Sequence, residues 1–292
     1  MMKKSKNILL LFILLIGSSC NEDNQIVQPA LPSQPPEQID TWDLVGLASV
    51  NDIYSILVTP TKPWIIYVGV ISDFSDGTYG KILKSADWGE TWTTLIGDIS
   101  VTNIIIDPNN VDILYAGLNP NNYCTPGVIK STNSGNTWVR IDSMMGLTWE
   151  DFPRITIDPI NSNILYTSIA GPNRGGLLKL KDTGLTWSVL PPKASGVVGF
   201  AIDPKNPNEL YLSMNWSGYL LKSYDGGETF ITVLDKGGDL PRIIVVNPFR
   251  TNVVYTGYIF GGFQKSVDHG MSWQVGVDSV LPFIGSIDDI AL

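Results

Sequence analysis

Histidine is nearly absent from this 292-residue chain: there is one, His269. A lone imidazole rules out His-based nucleophile triads and multi-histidine metal sites. Arginine occurs five times, at Arg140, Arg154, Arg174, Arg242 and Arg250, and no Lys/Arg-rich run exists. That removes nucleic acid as an expected partner. Only 16% of residues are charged, and long amphipathic periodicity is missing, so helical architectures lose their main signal. There is no phosphate loop or dinucleotide fingerprint. Asp73 and Asp76 lack the surrounding oxygen ligands of a calcium loop. No cofactor and no metal are expected.

Cysteine is scarce too, with Cys20 and Cys124 alone. Cys20 follows three lysines (Lys3, Lys4, Lys6), the apolar run Ile8–Ile16 and the small residues Gly17-Ser18-Ser19. This is a signal-peptide layout over residues 1–19, with an apolar stretch too short to span a membrane comfortably. The small-residue zone ending in cysteine resembles the lipobox of bacterial lipoproteins, with Gly17 where leucine is usual. The resemblance implies lipidation of Cys20, a membrane partner through that anchor, and no intramolecular disulfide for Cys124. Residues 20–40 then form a polar, proline-rich tether. Glu22 and Asp23 are faintly similar to the surface-export signal of some Bacteroidetes-type lipoproteins. The expected address is the bacterial cell envelope, as an outer-membrane lipoprotein exposed at the surface. Loss of the three leader lysines leaves 16 of the 19 basic residues against 28 acidic ones, a net charge of about −12.

What remains is rich in glycine (28), proline (19), tyrosine (11) and tryptophan (9), with 43% hydrophobic residues. That composition suits many short strands around a substantial core. From residue 41 onward two motifs recur in step. The first reads KSADWGETW (Lys84–Trp92), KSTNSGNTW (Lys130–Trp138), KLKDTGLTW (Lys179–Trp187), KSYDGGETF (Lys222–Phe230) and KSVDHGMSW (Lys265–Trp273). Its glycines are Gly89, Gly135, Gly184, Gly227 and Gly270; its acidic or amide position holds Asp87, Asn133, Asp182, Asp225 and Asp268. In the second motif a tyrosine (Tyr67, Tyr115, Tyr166, Tyr211, Tyr255) follows a proline (Pro60, Pro108, Pro159, Pro204, Pro248) by seven residues.

One unit reads as four strands. An apolar strand a stops at Asp-Pro or Asn-Pro, because proline cannot donate to a ladder. The tyrosine run is strand b. Strand c ends at Lys-Ser, and the Asp-x-Gly turn reverses the chain into strand d, which opens on the aromatic. Aspartate is expected to accept hydrogen bonds from its own turn, glycine to supply a positive φ, and tryptophan to fill a groove between units.

This pattern resembles the Asp-box (BNR) repeat, S-x-D-x-G-x-T-W, of sialidases, sortilin-type receptors, two-propeller xyloglucanases and photosystem II assembly-factor propellers. The departures are Asn133 for Asp, Leu180 for Ser, Phe230 for Trp and Ser272 for Thr. The resemblance implies an all-β fold, a β-propeller of four-stranded blades, with the box a structural turn away from the functional face. Residues 41–292 hold five complete blades and an incomplete sixth. Thr41–Val45 reads as a strand d and Gly285–Leu292 as a strand a, which suggests truncation at the C-terminus.

Propeller ligands bind on the loops joining b to c and d to a. There the expected ligand contacts are Trp149, Arg154, Arg174, Trp216, Arg242 and Tyr258; Phe74, Tyr79, Tyr123 and Phe260 add aromatic surface. Flat rings beside polar groups suit sugar or peptide. A sialidase would need three arginines on a carboxylate and a tyrosine–glutamate nucleophile pair, and the arginines here do not sit in that family's Arg-Ile-Pro motif. Xyloglucanases use two aspartates across a cleft between two propellers, and this length suits one. Glu150 and Asp151 are adjacent and read as a solvated loop. No catalytic residue is assigned. The expected function is a non-catalytic binding or assembly module for a glycan or an envelope or extracellular protein. A sialidase- or xyloglucanase-like glycoside hydrolase is the alternative.

Overall fold

A computed structural model describes residues 53–72, 79–119, 125–142, 153–170, 175–181, 186–191, 196–214, 217–237, 240–258 and 262–275. Among them there is no helix, and twenty strands form five four-stranded antiparallel sheets. Blade one holds β1 (Ile53–Val58), β2 (Ile66–Val70), β3 (Lys81–Ser85) and β4 (Thr93–Gly97). Blade two holds β5 (Ser100–Asp107), β6 (Asn110–Asn119), β7 (Gly127–Ser131) and β8 (Val139–Arg140). Blade three holds β9 (Arg154–Ile157), β10 (Leu165–Ala170), β11 (Gly175–Leu180) and β12 (Trp187–Leu190). Blade four holds β13 (Val197–Ile202), β14 (Leu210–Met214), β15 (Tyr219–Ser223) and β16 (Ile231–Asp235). Blade five holds β17 (Pro241–Val246), β18 (Val254–Tyr258), β19 (Phe263–Ser266) and β20 (Gln274–Val275). In every sheet the spatial order is the chain order. The expected sixth blade, Cys20 and the tether lie outside the described residues.

Side-chain oxygens close the turns. After strand a, Asp158 Oδ1 accepts the N–H groups of Ile160 and Asn161, both at 2.9 Å, and Asp203 and Asn247 do the same in blades four and five. After strand c, the Ser266 hydroxyl donates to Asp268 Oδ1 at 2.7 Å and accepts the Gly270 N–H at 2.8 Å. Asp268 also accepts the Ser272 N–H at 2.9 Å and the Ser272 hydroxyl on its other oxygen. The same bonds recur around Asp87 and Asp225, and around Asn133 all but the hydroxyl bond, which is reversed there with Nδ2 donating to Thr137 Oγ1. The blade-three turn, with Asp182 and Gly184, lies outside the described residues.

The apolar core is divided among the seams. Ile82 and Leu95 of blade one pack with Leu114, Ile129 and Trp138 of blade two. Trp187, Phe230 and Trp273 fill the next three seams, and the Trp187 indole N–H donates across its seam to the Ile141 carbonyl at 2.8 Å. The groove-filling role expected of the aromatic is therefore met at these four positions.

A polar clamp crosses the same seams. In the turns, two successive residues have positive φ: Trp88-Gly89 (65° and 95°), Ser134-Gly135 (56° and 87°), Gly226-Gly227 (71° and 95°) and His269-Gly270 (58° and 81°). The carbonyl between the two faces the preceding blade in three seams. Ser134 O accepts Tyr67 Oη (3.2 Å) and Lys84 Nζ (3.4 Å). Gly226 O accepts Tyr166 Oη (3.4 Å) and Lys179 Nζ (2.9 Å). His269 O accepts Tyr211 Oη (2.9 Å) and Lys222 Nζ (2.8 Å). Each ammonium also lies 5.1–5.4 Å from the ring of its tyrosine, within cation–π range. Burial pushes the phenols up, Tyr115 to about 12 and Tyr166 and Tyr211 further. Burial likewise pulls Lys84 and Lys179 down.

Candidate functional site

First strands of neighbouring blades touch (β1 with β5, β5 with β9, β13 with β17), so strand a runs nearest the axis. Strand a begins at the end where the d–a and b–c loops lie, opposite the clamped turns. Four of the five first strands carry a register shift at that end: Tyr54, Thr102, Val198 and Arg242 each sit between paired residues. A bulge of this kind re-aims a side chain. Of these four, Tyr54 (55% exposed) and Arg242 are exposed at this end, whereas Thr102 is buried and Val198 half-buried.

Arg154 is also exposed, but it pairs with Ser168 inside an unbroken ladder. Two Pro-Arg pairs that look alike in sequence are thus one register position apart. The backbone beneath Arg154 is held firmly. Thr102 donates its hydroxyl to the Pro153 carbonyl, and Asn103 both donates to Ile155 O (2.7 Å) and accepts Ile155 N–H (3.0 Å). Beneath Arg242, Gly199 allows close approach: a Cβ there would stand 2.8 Å from the Arg242 carbonyl oxygen.

Around this mouth, Tyr79 (47%) and Tyr219 (40%) expose their rings at the ends of the b–c loops of blades one and four. The first of those loops is pinned by Gly80 N–H to Ser72 Oγ (2.8 Å) and Ser72 N–H to Ser100 Oγ (3.1 Å). In blade two Arg140 makes a two-point ion pair with Asp142 and donates to the Pro126 carbonyl at 2.8 Å, joining that blade's loops.

Of the residues expected to contact ligand, Arg154 and Arg242 stand at the mouth. Tyr258 is 2% exposed, its hydroxyl donating to Gln264 Oε1 and Lys236 lying 5.8 Å over its ring. Its ring is part of blade five's packing. Trp149, Arg174 and Trp216 lie outside the described residues. Tyr54 and Tyr219 escaped the sequence reading. Tyr54's exposure depends on a bulge, which leaves no residue signature, and Tyr219 resembles any strand-opening tyrosine.

Chemically, the described mouth offers aromatic faces and guanidinium donors, the pairing that stacks on and hydrogen-bonds a polyhydroxylated ring. Of the described carboxylates at this end, Asp142 is engaged by Arg140, Asp235 accepts the Gly237 N–H at 3.0 Å, and Asp98 is exposed in the β4–β5 connection. Asp73, Asp76, Glu150 and Asp151 lie outside the described residues.

One further group has ligand-like spacing, at the turn end. Asp203, Glu209 and His269 bring ligand atoms within 4.8 Å of one another. The buried Lys222 ammonium, 2.7 Å from Glu209 Oε2, already supplies the positive charge there, so the cluster is accounted for by the seam clamp.

No family model matches the sequence. The chain is 27% identical over 84% of its length to the xyloglucanase Xgh74A of Acetivibrio thermocellus, of which it spans 39%. Among solved structures it is similar to the GH74 xyloglucanase of Xanthomonas campestris, with a TM-score of 0.63, 14% identity, and coverage of 78% of this chain and 39% of that one. It is also similar to YCF48 of Cyanidioschyzon merolae (TM-score 0.54, 14% identity), covering 80% of this chain and 71% of that one. The fold is a β-propeller. The blades deduced from the repeat are the sheets observed, and the chain spans about two fifths of the xyloglucanase it matches.

Proposed function

We propose that this propeller engages xyloglucan-like β-glucans as part of a glycoside hydrolase. The observation that carries this reading is the 84% of the chain that aligns with a xyloglucanase. It favours the hydrolase alternative over the purely non-catalytic module expected first. Tyr54, Tyr79 and Tyr219 would stack on the glucan backbone while Arg154 and Arg242 bond to its hydroxyls. Acid and base roles would fall to carboxylates near these residues in sequence: Asp73 and Asp76 between Ser72 and Tyr79, and Glu150 and Asp151 ahead of Pro153. We read the recurring turns as Asp-box repeats, and the leader followed by Cys20 supports an address at the outside of the cell envelope on a lipid anchor.

The test uses the chain freed of its leader, incubated with xyloglucan, unsubstituted β-glucan and sialylated glycans. Retention in affinity gels and release of reducing ends are followed together. Release from xyloglucan that disappears in Asp73→Asn or Asp151→Asn supports hydrolysis by this chain. Retention without release keeps the glucan ligand and assigns a binding role alone. Neither retention nor release on xyloglucan overturns the proposal.

A second reading has its own observation. The chain covers 71% of YCF48, a far larger share than of the xyloglucanases, which suits a single propeller that binds a protein. In that case envelope-protein capture would depend on Tyr54 and Arg242, with no glucan retained.

A further inference from the structure

One cross-strand pair recurs between the second and third strands of the blades. In blade one it is Val68 with Leu83 and in blade four Leu212 with Leu221, but in blade five it is Thr256 with Gln264. Two residues further along the same strand face, Val70 and Met214 give way to Tyr258. An apolar trio has become a polar one without becoming exposed: Thr256, Tyr258 and Gln264 are 0%, 2% and 5% exposed. Tyr258 donates its hydroxyl to Gln264 Oε1. The Thr256 hydroxyl finds no hydrogen-bond partner among the described residues.

This face meets blade four. Val254, two residues before Thr256 and so on the same side of its strand, packs with Tyr211 and Leu220. Ser213 lies two residues beyond Tyr211 and directly opposite Leu220, so its hydroxyl enters the seam from the other side. It too is 0% exposed and unpartnered among the described residues. Room there comes from Gly199, which pairs with Ser213. A Cβ on Gly199 would stand 2.5 Å from Ser213 Oγ and 2.8 Å from the Arg242 carbonyl oxygen. Thr167 holds the place of Thr256 in blade three and is likewise unpartnered, but Gly117 holds the place of Ser213 in blade two. The seam between blades four and five is therefore the one in which two such hydroxyls face each other among the described residues.

We propose that this seam is a binding site for internal water, bridging the hydroxyls of Thr256 and Ser213 and bounded by the Gln264 amide and the Arg242 carbonyl. Two hydroxyls, an amide and a carbonyl supply the roughly two to four bonds that a buried water makes. Water is the ligand because side chains at most 5% exposed admit no larger solute. The site lies beneath the bulge that exposes Arg242.

The test is magnetic relaxation dispersion of the water signal on the leader-free chain, which counts waters held for longer than the protein takes to tumble. The double variant Ser213→Gly, Thr256→Val installs residues that this molecule already uses at those positions, Gly117 and Val68, and is expected to fold. Its dispersion should fall short of the parent's by about one water. Melting temperature distinguishes a hydrated site from bare hydroxyls. Thr256→Val, which keeps the side chain's shape, should melt below the parent if it takes a partner from a bound water. It should melt above the parent if it only removes an unbonded hydroxyl from a dry seam. Lower dispersion with a lower melting temperature supports the proposal; unchanged dispersion, or a Thr256→Val chain that melts higher, overturns it. Should the double variant fail to fold, Thr256→Val alone carries both readings.

Discussion

At Asp225 one carboxylate takes three hydrogen bonds from its own turn: the Ser223 hydroxyl at 2.7 Å, the Thr229 N–H at 2.9 Å and the Thr229 hydroxyl at 2.6 Å. The Thr229 hydroxyl above all, then its N–H and the Ser223 hydroxyl, hold Asp225 well below the usual carboxylate range. The same causes depress Asp87 and Asp268. A depressed folded pKa contributes stability that is present above the unfolded value, near 3.8, and is lost as pH falls below it. Blade two already shows the neutral alternative, because Asn133 accepts the same serine and backbone donors and turns its Nδ2 onto Thr137 Oγ1 at 2.9 Å. Asp225→Asn is therefore expected to fold, to melt lower than the parent at neutral pH, and to approach the parent as pH falls from about 4 to about 2. Melting temperatures across that range check it; a gap that stays constant with pH would sink the linkage. Of this turn, Ser, Asp, Gly and Thr were legible in the sequence because side chains do the bonding. The residue before glycine was not. It is Trp88, Ser134, Gly226 or His269, and it varies because its recurring bonds are main-chain ones: its N–H donates to Trp64 O, Asp112 O, Asn208 O or Asn252 O, and its carbonyl takes the clamp in the last three turns.

Between elements, the lysine that opens each turn motif, Lys179 of Lys-Leu included, reads in sequence as the end of a strand. The structure gives it work across a seam. Lys179 donates to Gly226 O at 2.9 Å and lies 5.1 Å from the Tyr166 ring, in a site that is 8% exposed. Lys179→Met removes a charge-assisted bond from a buried carbonyl and is expected to cost about 1–3 kcal/mol. Lys265→Met, at a half-buried lysine that meets no turn carbonyl among the described residues, is expected to stay within about 0.5 kcal/mol in dilute solution. Denaturant melts of the two variants at low protein concentration compare them directly, and equal losses would show that the clamp contributes nothing beyond the side chain's packing. Register is the other property settled between elements. Pro153-Arg154 and Pro241-Arg242 look equivalent along the chain, but a bulge at Arg242 sets them one position apart. A bulge is fixed by how neighbouring first strands crowd at the axis, and no local residue preference records it.

For the molecule as a whole, the seam tyrosines join the blades into one titrating system. Burial raises the phenols of Tyr67, Tyr115, Tyr166 and Tyr211 above their ordinary value of 10.0. Protons then leave the unfolded chain first, so stability is complete below about pH 10 and falls as pH rises above it. Phenolate absorbance should accordingly appear in two stages, the exposed tyrosines first and the seam tyrosines only with loss of β-sheet circular dichroism. A single smooth titration on an intact sheet signal would count against seam burial. At this scale the sequence by itself determined the number of described blades, their strand order and the chemistry of their turns. These follow from local rules: proline stops a ladder, a carboxylate or amide closes a turn, glycine permits a positive φ. Tertiary structure alone decided which carbonyl meets which lysine and which rings are exposed at the axial mouth. Those depend on surfaces more than 40 residues apart in the chain meeting face to face, as Lys179 and Gly226 do, 47 positions apart.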